Sequence, residues 1–253
     1  MLTTPLAYKY VTIMAMMSQI NYHAPRMHLP IDVPVKEQDI RFLHVASPIV
    51  MTNWVDIGGR LQVKNYSFTF AADWRQIYNL DDFGKHSLGI PAQEKESGNS
   101  IMERASLMKY TVNTNDLYRL ATNWIAGLDV DIAKLEAIYR PVIDDQQFHS
   151  KRGLVPSPLM SIEWKRPGYD PKGVRVEVSA VSGELLTLYD GSGSFHNSEQ
   201  VFIKDLKNLL AISDEEFLKY NEQERRALVE RFAPVQGSPT NFPATLSEKL
   251  FKP

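Results

Sequence analysis

Six histidines are the first side chains to test for chemistry. His23 and His28 are five apart in a proline-containing stretch, not at the spacing that puts two imidazoles on one helix face. They are expected as solvated loop residues. His44, His86, His149 and His196 are isolated from one another, and nothing in the sequence joins His196 to a nucleophile and an acid. Asp129 and Asp131 flank Val130, and Asp144 adjoins Asp145. A calcium loop needs more oxygen ligands at fixed spacing and a turn glycine. Helix capping and solvation account for these carboxylates. Gly191-Ser192-Gly193 lacks the Lys-Ser/Thr and the helix of a phosphate loop, and Gly58-Gly59 has no dinucleotide-binding context. The chain has no cysteine, which removes disulfides, thiolate catalysis and cysteine-held zinc. Asn65-Tyr66-Ser67 matches a glycosylation sequon but falls on an expected strand. No catalytic residue, cofactor or metal site is expected.

The aromatics are the more informative set. Tyr66, Phe68, Phe70, Trp74, Tyr78, Trp124 and Trp164 are expected to fill the interfaces between helices and sheets, where rings dominate packing. Trp74 and Tyr78 lie around an expected hairpin tip. An exposed aromatic there would anchor a protein partner, so these two are the candidate partner contacts. A net charge of −2 and the lack of a dense Lys/Arg cluster give no footprint for nucleic acid or an anionic membrane. No apolar run is long enough to span a bilayer. Tyr10–Met17 has only Lys9 ahead of it and makes a poor signal peptide.

The elements that must position these residues centre on Gly173–Gly193. Val174, Val176 and Val178 alternate with Arg175, Glu177 and Ser179, the period of a strand with one buried face. Ala180–Gly183 makes a tight turn, and Glu184–Tyr189 returns. Upstream, a hydroxyl cap at Thr3-Thr4 and Pro5 open a helix with Leu6, Tyr10, Ile13, Met17 and Ile20 on one face. Asn21–Pro34, with three prolines, breaks it. Asp39–Val45 reads as a strand, with Ile40 and Phe42 alternating, ended by Pro48. Gly58-Gly59 turns into Arg60–Ala71, whose phase slips near Lys64-Asn65, implying a bulge or two strands. Arg75–Leu80 returns after a turn at Asp73-Trp74.

Asn113 or Thr114 caps a second helix, Asn115–Ala126, with Gly127 as its C-terminal cap. Asp129–Tyr139 is a short further helix or a kinked continuation, stopped by Pro141. Leu159–Arg166 is a strand. Beyond Gly193, Ser213–Glu216 and Asn221–Glu224 are capping boxes for two short helices, and Ala233–Pro253 reads as an extended tail.

At an offset of 108 residues Tyr66–Phe70 lies under Val174–Val178, Leu80 under Leu188 and Asp82 under Asp190, with no gap. The same offset sets Tyr10 on Tyr118, Met17 on Ile125 and Ile20 on Leu128. A helix and a hairpin thus recur at one separation, an internal duplication. The expected fold is α+β: two helix-on-antiparallel-sheet modules with a C-terminal helical extension. The first module covers 1–84, a linker 85–105, the second module 106–193, and the extension and tail 194–253.

The second copy resembles a PepSY module, the small domain of peptidase propeptides and related exported bacterial proteins. The resemblance rests on the helix Asn115–Leu128, the strand Met160–Arg166 and the hairpin Val174–Leu186, where Ser182-Gly183-Glu184-Leu185 matches the family's turn. In the first copy Asp73-Trp74-Arg75 stands in place of that turn. The resemblance implies a cystatin-like helix across an antiparallel sheet, an extracytoplasmic location and, in some members, inhibition of peptidases. Three readings follow. The first is a non-enzymatic binding or inhibitory module with a protein partner. The second is a small-ligand carrier or enzyme using a pocket in a cystatin-like cone, favoured by an open, polar helix–sheet interior. The third is a structural or assembly subunit, favoured by a large exposed apolar patch or a stable dimer.

Overall fold

Pro5 presets the backbone for helix entry, and α1 runs from Leu6 to Arg26. The computed structural model describes residues 4–45, 59–70, 77–82, 88–90, 97–144, 147–166, 168, 173–191 and 206–232, with the backbone alone at Tyr78. The expected hydroxyl cap of α1 is replaced from a distance: Leu6 N–H donates to Asp214 Oδ1 at 2.8 Å. The expected break at Asn21 does not occur either. Asn21 is buried inside the helix, and its Oδ1 accepts the Val35 N–H at 2.7 Å. The residue read as a breaker instead ties the proline-containing stretch back to the helix. Pro25 sits in the last turn, and the chain leaves through His28 at φ 53°.

Nor does α1 have only one apolar face. Seventeen of its 21 residues are buried, which a single stripe cannot supply. The chain divides into two compact units: Met1–Lys64, Phe68–Ile77 and Ser194–Pro253, then Asn65–Ser67 and Tyr78–Gly193. In the first unit α1 packs on β1 (Ile40–Val45) and β2 (Gly59–Val63), and also on α5 (Asp214–Lys219) and α6 (Glu222–Phe232). Tyr10 meets the buried Phe217 ring at 5.5 Å between centroids. Both C-terminal caps form as expected: Ser213 Oγ accepts from Glu216 N–H, and Asn221 exchanges bonds with Glu224. In β1 a register shift between Ile40 and Phe42 inverts the expected alternation, leaving Phe42 47% exposed and setting Leu43 opposite buried Leu61. The phase slip downstream is a turn between two strands. Lys64 takes φ 53° between β2 and β3 (Tyr66–Phe70).

The second unit holds an antiparallel sheet in the order β4 (Ile77–Asp82), β10 (Leu185–Asp190), β9 (Val174–Ser179), β8 (Leu159–Lys165), β5 (Arg140–Asp144). The β9–β10 hairpin forms as read: Val174, Val176 and Val178 are fully buried, and Gly183 turns at φ 76°. Pro141 follows a helix that ends at Ile138, the stop expected of it. It sits within β5 at the sheet edge, where a missing N–H is tolerated. A separate hairpin, β6 (Gln147–Ser150) with β7 (Gly153–Pro156), was not among the expected elements. α3 (Thr114–Gly127) packs on β8, capped by Asn113, whose Oδ1 accepts the N–H groups of Asn115 and Asp116. α4 (Ile132–Ile138) is a separate helix, and the left-handed residue between the two is Asp129 (φ 63°), not Gly127. Residues expected in a linker take part in this unit: α2 (Gly98–Ala105) and Leu88–Ile90 place Leu88, Ile90, Ile101 and Ala105 in one core cluster with Val181 and Leu186. The described helices include none long and apolar enough to cross a membrane.

The starts of α1 and α3, of β3 and β9, and of β4 and β10 are each 108 residues apart. In the β4–β10 ladder Leu80 faces Leu188, Asn79 faces Tyr189 and Asp81 faces Thr187.

The buried phenols make an alkaline test of the core. Burial pushes Tyr8, in the first unit, up to about 12. Burial also takes Tyr66, in the second, up to about 12, with the Asp82 and Glu184 carboxylates adding to it. An unfolded tyrosine loses its proton near pH ~10. Between about pH 10 and 12 the unfolded chain therefore binds fewer protons than the folded one, and stability falls as pH rises. Below about pH 10 these two groups leave stability unchanged. The unfolding free energy from urea titrations should not respond to these two groups below that pH and should then drop, by about 2–3 kcal/mol for the deeply buried Tyr8 and by less for Tyr66. A midpoint constant up to about pH 12 would contradict this account of the burial.

Candidate functional site

The two candidate partner contacts fall where no side chain is described. Trp74 lies outside the described residues, and Tyr78 contributes only backbone at the start of β4. Among the other aromatics, Phe68, Phe70 and Trp164 are fully buried and Tyr66 nearly so, as expected for core rings. Trp124 is half-buried. The face of β8 and β9 under α3 is closed: Ile162, Trp164, Val174 and Val176 have no exposed surface, and neither do Leu117, Ala121 and Ile125 of the helix.

The residue that organises this interface is Glu136 on α4. Its Oε1 accepts the Trp164 indole N–H at 3.1 Å and the Tyr118 hydroxyl at 2.7 Å. The Tyr118 and Trp164 rings lie 6.2 Å apart. Donating to a carboxylate holds the Tyr118 phenol above its usual range. The arrangement secures a buried indole and links α3, α4 and β8. It is a packing device, since the carboxylate's partners are both supplied by the fold.

His23 departs from its expected solvated loop. It lies inside α1, 4% exposed, with a ring nitrogen 3.0 Å from Gln19 Oε1. His28 is exposed, as expected. Asp131 caps α4 through the Lys134 N–H, the role read from sequence. Among the described residues no three His, Cys, Asp or Glu side chains come together as metal ligands would.

An open concavity lies elsewhere in the second unit, beside the start of α3. Its volume is about 470 Å³, within the range of small-ligand sites. Val112, Leu159, Met160 and the Tyr110 ring supply its apolar wall, and Asn113, Asp144 and Ser157 lie on its polar side. Three sets of bonds hold this wall in place. Thr111 and Val112 N–H both donate to Ala180 O, at 2.8 and 3.2 Å. Thr111 Oγ1 donates to Val181 O at 2.7 Å. Tyr110 OH donates to Pro156 O at 2.6 Å, joining the wall to β7. The β6–β7 hairpin is fixed at its other end, where Lys151 N–H donates to both Glu103 carboxylate oxygens, at 3.0 and 3.1 Å. Ser157 is 7% exposed, and its Oγ accepts the Leu159 N–H at 3.1 Å.

Sequence reasoning assigned Asp144 to solvation and Asn113 to capping, and had no reason to join them. The one local signal was the Ser150–Gly153 turn between Phe148 and Val155, which marks the hairpin but not what it walls. No family model, no curated protein and no solved structure matches this chain.

Proposed function

We propose that this chain is a non-enzymatic binding module of an exported bacterial protein, built from two copies of a PepSY-like, cystatin-like unit. The carrying observation is the closed packing under α3. With the helix–sheet interior filled by Trp164, Ile162 and the β9 valines, recognition falls on the outer surface of the second unit. There the cavity beside α3 has exposed apolar neighbours. Leu107 and Met108 precede its wall residue Tyr110 and are 49% and 42% exposed. Leu154, 54% exposed, lies two residues before the wall residue Pro156 on the same strand face.

The duplication is supported by the common separation of helix and strand starts. It is also supported by the register of the β4–β10 pair, in which Leu80 meets its own counterpart, Leu188. An antiparallel pairing centred on equivalent residues is self-complementary in the manner of a two-fold dimer contact. A second reading, a small-ligand carrier, is favoured by the size of the cavity.

Amide-resolved NMR on the full chain, screened against small fragments and short peptides, tests the reading. Hits are expected to shift the amides of Tyr110–Thr114 and Ser157–Met160. A screen without hits there, or with hits confined to the interior strands of β9 and β10, overturns it.

A further inference from the structure

We infer that the outer face of the β6–β7 hairpin, with the α2–α3 connection beside it, docks an acidic peptide segment: carboxylates set on either side of aliphatic side chains. The inference rests on the reading of the chain as a binding module and names the chemistry of its partner. Two ties lay the connection along the hairpin. Lys151 N–H donates to both Glu103 oxygens at the hairpin tip, and Tyr110 OH donates to Pro156 O at the other end. Between these ties stand Leu107, Met108 and Leu154, all exposed. In the hairpin Phe148 pairs with Val155 and both are half-buried, whereas His149 pairs with Leu154 and both are exposed. Side chains alternate between the faces of a strand, so the outer face is the one that carries Leu154. Lys109 follows Met108, and Lys151 and Arg152 make the tip; all three are exposed. Among the described residues no hydrogen bond or ion pair engages their side-chain charges.

An aliphatic patch with cations on two sides asks for a partner with the complementary order. Glu103 does not offset those cations from outside, because both its oxygens already accept the Lys151 N–H. Asp144 lies beyond the other end of β6 and has interactions of its own within the fold. A peptide suits the relief of this face better than a lipid surface does. The face continues through Gln147 and Pro156 into the wall of the cavity beside α3, so an aliphatic side chain of the partner has a recess to enter. A bilayer receives apolar side chains rather than supplying them, and would leave that recess empty. Exposed ion pairs are screened by salt and are worth about fivefold each at most. The cations therefore choose the partner, and the aliphatic contact holds it.

The test titrates the full chain with three end-capped hexapeptides. Each has a central pair of leucines, flanked on both sides by two glutamates, two glutamines or two lysines. At low salt the glutamate peptide is expected to bind about tenfold tighter than the glutamine peptide, and the lysine peptide weakest; high salt should erase most of the difference. Amide-resolved NMR should put the shifts at residues 107–110 and 151–155. Lys151→Gln combined with Arg152→Gln should bring the glutamate peptide close to the glutamine peptide and leave the latter unchanged. Lys207→Gln combined with Lys219→Gln, at two exposed positions of the first unit, should alter neither. Leu154→Ser, also at an exposed position, should weaken both alike. Equal binding of the three peptides, or a preference for lysine, overturns the acidic partner. An equal loss in the two charge-removal pairs overturns the location. Adsorption to phosphatidylcholine vesicles containing phosphatidylserine through these same amides, without peptide binding, overturns the peptide in favour of a membrane. Failure of all three peptides while fragments still bind the cavity overturns this inference and keeps the proposed function; failure of both overturns both.

Discussion

Trp164→Ala is expected to lower folding stability by about 3–5 kcal/mol, the range for deleting a fully buried indole. The side chain has no exposed surface and is among the largest buried in the chain. It sits between Pro141 on β5 and Val174 on β9, with Tyr118 of α3 over it. Its removal leaves a void across three strands and a helix, and takes away one of the two donors to Glu136. Trp164→Phe separates these effects. It keeps most of the burial and loses the indole N–H, and should cost about 1–3 kcal/mol. Because Glu136 is only half-buried, water can replace the lost donor, which puts the result toward the lower end. A double-mutant cycle with Glu136→Ala, which removes the acceptor, measures the bond: the coupling should be about 1.5 kcal/mol, the low end for a hydrogen bond to a charged group. Urea denaturation followed by far-UV circular dichroism measures the wild type and the four variants. A loss under about 1 kcal/mol for Trp164→Ala would contradict the packing described.

Gly89→Ala should be nearly as damaging, at about 2–4 kcal/mol, for a different reason. Gly89 has φ 69°, a backbone that costs a side-chain-bearing residue roughly 1–2 kcal/mol. A Cβ there would also run into Ser182 Oγ and Glu184 Oε2, and would lie 2.6 Å from Ser182 Cβ. Ser182 cannot move freely. With Ser179 it donates to Leu88 O, at 3.3 and 2.6 Å, and these bonds seat Leu88 and Ile90 in their core cluster. The substitution therefore either strains the turn or unseats the segment. Gly183→Ala is the matched control. Its φ of 76° is similar, but its nearest neighbour is the Val112 Cγ2 methyl at 3.3 Å. It should cost about 1–2 kcal/mol, the backbone term with little more. If the two variants lose equal stability, the contact with Ser182 is not what makes Gly89 necessary.

Much of this architecture was readable in the sequence because it is set by short-range chemistry. The valines of Val174–Val178 alternate because a strand alternates, and all three are buried. Gly183 occupies the left-handed position of its turn because glycine meets no Cβ penalty there. Asn113, Asp131, Ser213 and Asn221 cap the helices that follow them. The 108-residue separation was likewise present in the bare chain and recurs in the element starts. By contrast, the candidate contacts Trp74 and Tyr78 were chosen from a strand tip alone, and the site was not legible at all. Its described walls come from residues just before and at the start of α3, from Asp144 on β5, from Gln147 on β6 and from the stretch between Pro156 and Met160, and no local pattern records that these meet.

The sequence by itself determined the type of most elements, their caps and turns, and the inward residues of the second hairpin, since each depends on residues within one turn or one strand of each other. The tertiary structure alone decided what each face met. It buried α1 on nearly every side and drew His23 and Asn21 inward with it. It took the cap of α1 from Asp214 and kept Pro141 in an edge strand. It closed the space beneath α3 and left a cavity beside it, with Asp144 on its polar side. Burial and cavity shape depend on neighbours far away in sequence, and hydrophobic periodicity reports only the residues that want a neighbour, not which one arrives.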